Sequence, residues 1–400
     1  MNPMRIAQRA KDITASVTLA IDAKAKELKE QGKDVIGFGA GEPDFDTPLF
    51  IRDAAKQALD AGMTRYTPAA GMPQLKQAIC DKLLRDNGLT YKPNQIVVSC
   101  GAKHSLFNAF FCLLEPGDEV LIPSPCWVSY PEQVRMVGGV PAFVASDAAN
   151  DFKPTLAQWE AAVTPKSRAL VLNSPNNPNG CVWEREELED IAALAKKHDL
   201  TIVADEIYEH LIYDGREHVS IASLSEDALA RTIVINGVSK SFAMTGWRIG
   251  YTASNPAIAK VMGDMQSHST SAPATMAQVA SIAALQGPFD TVAAMRDEFD
   301  RRRVELARRI NEIDGLSCAL PRGAFYIMMD ITGILGKRLG DKLIDSPMAF
   351  ASALLDDSLV AIVPGEAFMS NVHCRLSYAT SLENITRGLD RIAAFVGKLQ

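Results

Sequence analysis

Several features are scarce in this sequence of 400 residues, and each absence closes off a class of function. Cysteine is one: the seven, at 80, 100, 112, 126, 181, 318 and 374, are scattered and odd in number. None forms a Cys-x-x-Cys pair, so neither a disulfide framework nor a zinc knuckle is expected, and a reducing cytoplasm fits. The six histidines fall at no metal-binding spacing and receive no role. Positive charge is not in excess: 41 basic against 48 acidic side chains give a formal charge of −7. That leaves no footprint for nucleic acid or an anionic membrane, and any anionic ligand must be held by local cations. Long apolar runs are missing too; the nearest, residues 104–114, is broken by polar residues and is shorter than the ~20 a membrane span needs. The opening segment, residues 1–9, mixes charged with apolar residues and does not read as a secretory signal.

What remains is an ordinary globular composition, 47% hydrophobic and 22% charged, at a length that favours two domains or one large one. Helical periodicity over residues 13–31 ends at Gly32, and a loop dense in glycine and proline follows at Gly37-Phe38-Gly39-Ala40-Gly41-Glu42-Pro43. Short apolar runs then alternate with helical stretches: 95–99, 119–122, 142–145, 169–172, 201–204, 232–235 and 249–253. This pattern predicts an α/β fold, a mostly parallel seven-stranded sheet with helices on both faces. Beyond Gly287-Pro288 a long helix is expected, its Asp300-Arg301-Arg302-Arg303 run forming a solvated face, followed by a smaller α+β unit. The large domain is accordingly placed at 48–290, and the small one at 1–47 with 291–400.

The strand at 232–235 runs into Asn236-Gly237-Val238-Ser239-Lys240-Ser241, with Gly246-Trp247-Arg248-Ile249-Gly250 shortly after. A lysine among small and apolar residues just beyond a buried strand has its ammonium form disfavoured, and a free amine condenses with aldehydes. An arginine among glycines can grip a phosphate by paired hydrogen bonds. Aldehyde and phosphate together describe pyridoxal phosphate. Taken singly, each residue also reads as a solvated loop lysine and a surface arginine. Two other motifs are excluded: 237–241 lacks the closing glycine of a hydrolase nucleophile elbow, and 37–42 has Glu42 where a dinucleotide fingerprint needs glycine.

Other strand ends carry matching chemistry. Asp205 closes the 201–204 strand, where a carboxylate needs a cation such as a pyridinium nitrogen, and Tyr208 follows at a distance suited to the ring hydroxyl oxygen; a helix cap is the other reading of Asp205. Gly101-Ala102-Lys103 opens a helix, a natural anion site. The turn at 173–180 exposes amides, Asn177 among them, although a plain Asx-rich turn reads the same way. Trp127 suits stacking on a ring or a place in a core. Arg375, in the apolar run Cys374-Arg375-Leu376-Ser377-Tyr378, calls for a carboxylate.

In this order these motifs resemble the fold-type I pyridoxal-phosphate aminotransferases, most closely the bacterial class I aspartate aminotransferases, over nearly the whole length. The resemblance implies Lys240 as Schiff-base and proton-shuttling lysine, Asp205 on the ring nitrogen, Tyr208 and Asn177 on the ring oxygen, and Trp127 over the ring. It implies Gly101, Ala102, Lys103, Ser239 and Arg248 around the cofactor. Arg375, Asn177, Trp127 and the Gly41 backbone would hold the amino acid, with Lys103, Ser16 and Thr18 toward its distal carboxylate. A homodimer is implied, Tyr66 reaching the phosphate of the other subunit. The implied reaction is ping-pong transamination from L-aspartate, or a similar amino acid, to 2-oxoglutarate. Asn179 stands where threonine is common, Gly237 where some relatives carry a phosphate-binding serine, and Thr14 near where prephenate-using relatives have lysine. The alternatives are another donor (aromatic, alanine, prephenate), a β-lyase on the same cofactor, and the sensing domain of a transcription regulator, for which no basic DNA-binding segment precedes residue 13.

Overall fold

The seven apolar runs lie side by side in the computed structural model, which describes residues 4, 6–11, 13 and 17–400. A short first strand, β1 (Ile36–Gly37), precedes them. The sheet consists of β2 (Ile96–Ser99), β3 (Glu119–Ser124), β4 (Val140–Ala145), β5 (Ser167–Asn173), β6 (Thr201–Asp205), β7 (Thr232–Gly237) and β8 (Gly250–Ala253), in the spatial order β2-β8-β7-β6-β5-β3-β4. All run parallel except β8, which is antiparallel to both neighbours. The central strands bury essentially every residue, β7 all six, so their sequences read as continuous apolar runs rather than alternating ones. Apolar clusters cover both faces: Leu75, Ile79 and Ala280 pack with Val234 and Tyr251, while Leu106, Phe110 and Met262 pack with Val203 and Ile233.

The long helix spans Asp290–Ile310. After it come β9 (Tyr326–Asp330), a hairpin of β10 (Arg338–Leu339) and β11 (Lys342–Leu343), the helix Pro347–Ser358, β12 (Val360–Ala361), β13 (Val363–Pro364), β14 (His373–Ser377) and the helix Leu382–Val396. Strands β13, β14 and β9 form an antiparallel sheet, and β12 pairs in parallel with β1. The Phe38 amide donates to Ala361 O at 2.8 Å and the Ser377 amide to Phe38 O at 2.8 Å, so the glycine-rich loop after β1 is anchored where it leaves the C-terminal elements. One core unites Phe299, Phe325, Phe350, Leu376 and Phe395 with Ile36 and Phe38.

The charge run on the long helix departs from expectation. Arg301 is exposed, but Arg302 and Arg303 are buried. Arg303 forks onto Asp214 at 2.7 and 3.0 Å and donates to Pro321 O at 2.6 Å. Arg302 donates to Asp44 at 2.7 Å and lies over the Phe45 ring. These guanidiniums are structural clamps on segments far away in the chain, not a solvated face. Among the described residues, no helix is long and apolar enough to cross a membrane.

Candidate active site

A cavity of about 290 Å³ opens where β5, β6 and β7 end and the helix Ala102–Leu113 begins. Ligands of open α/β sheets bind outside the strands' carboxyl ends. Eleven of the residues singled out in the sequence line it: Gly41, Ala102, Lys103, Trp127, Asn177, Asp205, Tyr208, Ser239, Lys240, Arg248 and Arg375.

Lys240 sits just past β7, half-buried, its Nζ donating to Gly41 O at 2.6 Å. The amine lies 5.8 and 5.9 Å from the Tyr208 and Phe325 rings. Burial, partly offset by the Glu42 carboxylate and reinforced by Arg248 and Arg375, lowers its pKa to about 8. About a tenth is therefore free amine at pH 7, a few hundred times the fraction of an ordinary lysine.

Asp205 ends β6, buried. Burial lifts its pKa to about 6, although the Tyr130 hydroxyl donates to Oδ2 at 2.7 Å and the Ile207 amide to Oδ1 at 3.3 Å. Among the described residues no cation pairs directly with this carboxylate, and Lys240 is the smallest of the influences on its pKa, so it falls short of the charged partner that buried carboxylates require. Tyr208 follows, its hydroxyl 3.0 Å from that of Tyr326. Burial holds the Tyr208 phenol well above its ordinary pKa, so it remains protonated.

Gly101 has φ of +90°, and a Cβ there would overlap the Arg248 guanidinium. Glycine is what lets Arg248 lie against the helix start. Arg248 donates to Thr245 O at 2.8 Å, and the first amides of the helix at Ala102 and Lys103 have no acceptor within it. Guanidinium and helix N-terminus together make an anion cradle. At Gly237 a Cβ would lie 2.8 Å from Ile249 O and 3.0 Å from Gly250 Cα. The chain here thus leaves no room for a serine.

Arg375 projects from the buried strand β14. It donates to Asn177 Oδ1 at 2.9 Å and Gly39 O at 2.9 Å, and its guanidinium stacks on the Tyr326 and Phe368 rings at 4.4 and 4.8 Å. Asn177 is held in turn by its own amide donating to Asn173 Oδ1 at 2.9 Å. Lys103 Nζ stands 4.9 Å over the Trp127 ring, with its pKa lowered by burial and by Arg248.

Four expected residues are not among those lining the cavity: Gly101, which lies beneath the Arg248 guanidinium, and the three that follow. Tyr66 is 96% exposed and lies outside this cavity. Ser16 lies outside the described residues, as does the side chain of Thr18 on the helix Val17–Glu30. Conversely, Tyr130, Tyr326, Gly39 and Thr245 line the cavity without having been anticipated. Tyr130 and Tyr326 had no motif to mark them; each acts by what it touches, Asp205 and Tyr208 respectively.

A half-buried amine of lowered pKa, a carboxylate in want of a cation, an anion cradle and an oriented guanidinium in one cavity are the chemistry of amino-group transfer. The model of the family "Aminotransferase class I and II" matches residues 33–392, and the chain belongs to that family; it is an aminotransferase. Within it, the chain is 51% identical over 391 residues to an aspartate aminotransferase of Bacillus sp. YM-2, covering 98% of this chain and 99% of the other. The crystal structure of the aspartate aminotransferase from Rhizobium meliloti superposes with a TM-score of 0.96 at 42% identity, covering all of both chains. That of the Thermus thermophilus aspartate aminotransferase with maleate gives 0.92 at 43%, covering 98% of this chain and all of the other.

Proposed function

We propose that this chain is an aspartate aminotransferase that works with pyridoxal 5'-phosphate, moving the amino group of L-aspartate to 2-oxoglutarate in two half-reactions. The observation that carries the reading is the pairing, in one cavity, of the Lys240 amine with a buried, cation-seeking Asp205 carboxylate. The cradle at Gly101 and Arg248 suits the phosphate. When bound, the cofactor supplies an aldehyde that exchanges amines and a protonated ring that accepts the electron pair of the substrate's α-carbon.

The protein's own groups do the rest. Asp205 holds a proton on the ring nitrogen by opposing it with negative charge. Tyr208 and the Asn177 side chain would hold the ring oxygen, Trp127 would stack on the ring, and Ser239 would add to the phosphate cradle. Arg375, held by Asn177 and Gly39, would present its guanidinium to the substrate's α-carboxylate. Lys240, its pKa lowered to about 8, would be the base that takes the substrate's α-proton and the acid that delivers it to the cofactor. Lys103, with Ser16 and Thr18, would meet the distal carboxylate of a dicarboxylic substrate. The reading includes a cytoplasmic homodimer, each Tyr66 serving the partner's phosphate site. It divides each chain into a large unit, 48–290, and a small one, 1–47 with 291–400.

Incubation with L-aspartate and 2-oxoglutarate tests it: oxaloacetate and glutamate are expected in equal amounts. No oxaloacetate from aspartate, with ammonia and pyruvate released instead from an amino acid carrying a β-thiolate leaving group, would indicate a β-lyase.

A further inference from the structure

The turn after β6 carries two more buried carboxylates, Glu206 and Glu209, that transamination does not use. They meet His218, whose side chain is only 7% exposed. One ligand atom from each of the three lies within 4.8 Å of the others. That is compact enough for one ion with bonds of about 2.0–2.2 Å after small side-chain adjustments.

Two further observations point to a ligand. Neither ring nitrogen of His218 makes a hydrogen bond, and neither does Glu206 Oε2, although His218 Nε2 comes within 3.3 Å of it. Buried polar atoms of folded proteins are ordinarily satisfied, and His218 Nε2 and Glu206 Oε2 face each other across a gap that no hydrogen bond fills. Lys82 is bonded to Glu209, Arg85 pairs with Asp86 at 2.6 Å, and His218 stands opposite Glu206, so a divalent ion would take the place of a proton between those two. Glu209 accepts from Lys82 and Asn236 on Oε1 and from Asn87 on Oε2, so a lone pair on Oε2 remains. A cavity of about 710 Å³, lined in part by Glu209, His210 and His218, gives an ion a way in and room for water ligands. It shares no lining residue with the cavity around Lys240.

We propose that Glu206, Glu209 and His218 bind a single divalent transition-metal ion of the zinc class, at a site separate from the transamination cavity. One imidazole and two carboxylates suit Zn²⁺, Co²⁺ or Mn²⁺ and not the soft ions that thiolates hold. The ion bridges the turn after β6 to the segment carrying His218, so its effect is to brace the fold next to Asp205.

Equilibrium dialysis of the cofactor-saturated enzyme against micromolar free Zn²⁺, with the metal counted by atomic emission, tests this. Wild type is expected to hold a single ion per chain and to melt at higher temperature with it. His218→Asn and Glu206→Gln are expected to weaken binding by more than about tenfold. Wild type that retains no Zn²⁺ above a buffer blank overturns the proposal. So do folded variants that retain as much as wild type. Should the variants not fold, anomalous diffraction from Zn²⁺-soaked wild-type crystals locates the ion, and an ion found only at other residues overturns the proposal equally.

Discussion

Lys240 and Asp205 owe their chemistry to what surrounds them, and each makes a pH-dependent prediction. Because burial lowers the Lys240 pKa to about 8, the apoprotein should take up pyridoxal 5'-phosphate faster as pH rises. The rate should climb about tenfold per unit below pH 8 and level off above it, as the free-amine fraction does. Stopped-flow absorbance measures this, and a rate independent of pH between 6 and 8 (roughly two units below the plateau) would contradict it. Asp205 has its pKa raised from 3.8 to about 6 by burial. In the apoprotein its charging therefore costs stability, nothing below 3.8 and the full amount above about 6, on the order of 3 kcal/mol. Asp205→Asn should raise the apoprotein's melting temperature at pH 8 and leave it unchanged at pH 4, while lowering turnover of the reconstituted enzyme at least about a hundredfold. Calorimetry at the two pH values, with a steady-state assay, checks both arms. These two residues were legible because Asp205 closes β6 and Lys240 stands three residues past β7. Tyr130 and Tyr326 were not, since their roles consist of contacts with residues 75 and 118 positions away.

At the level of elements, β2 to β8 were readable because a strand buried on both faces must be apolar at nearly every position, and the edge strand β4, though largely exposed, keeps an apolar sequence. Their ends moved by only one or two residues, as with β5, expected at 169–172 and found at Ser167–Asn173. The long helix was readable from its apolar stripe, but its polar side was misjudged. A run of arginines looks solvated until the partners are known, and Asp44 and Asp214 lie 258 and 89 residues from theirs. The clamp has a measurable value. Arg303→Met should destabilise the protein by about 2 kcal/mol in urea unfolding, less than the roughly 3–5 of a fully buried pair, because Asp214 and Asp300 are nearly half exposed and regain water. A variant as stable as wild type would show that the run is ordinary surface after all.

Across the whole molecule, the cavity gathers residues from the loop after β1, from the ends of β5, β6 and β7, and from β14. Arg375 reaches both Gly39 and Asn177, so the elements that follow the long helix supply one wall and the large sheet the other. Such a site could be anticipated from motifs in order along the chain, but not its closure, which depends on β1 pairing with β12 more than 300 residues later. Tyr66, almost fully exposed on a single chain, belongs to the account only through a second copy. Sedimentation should therefore give two chains per particle, and Tyr66→Phe should weaken cofactor binding about tenfold, the loss of one hydrogen bond to a charged group. Unchanged affinity would remove Tyr66 from the site. The most direct test of the central claim is the first half-reaction alone: cofactor-loaded enzyme mixed with L-aspartate and no oxo-acid acceptor. The account predicts close to a single oxaloacetate released per chain and then a halt, and none from Lys240→Ala. Continued release without an acceptor, or an equal yield from the lysine variant, would contradict it.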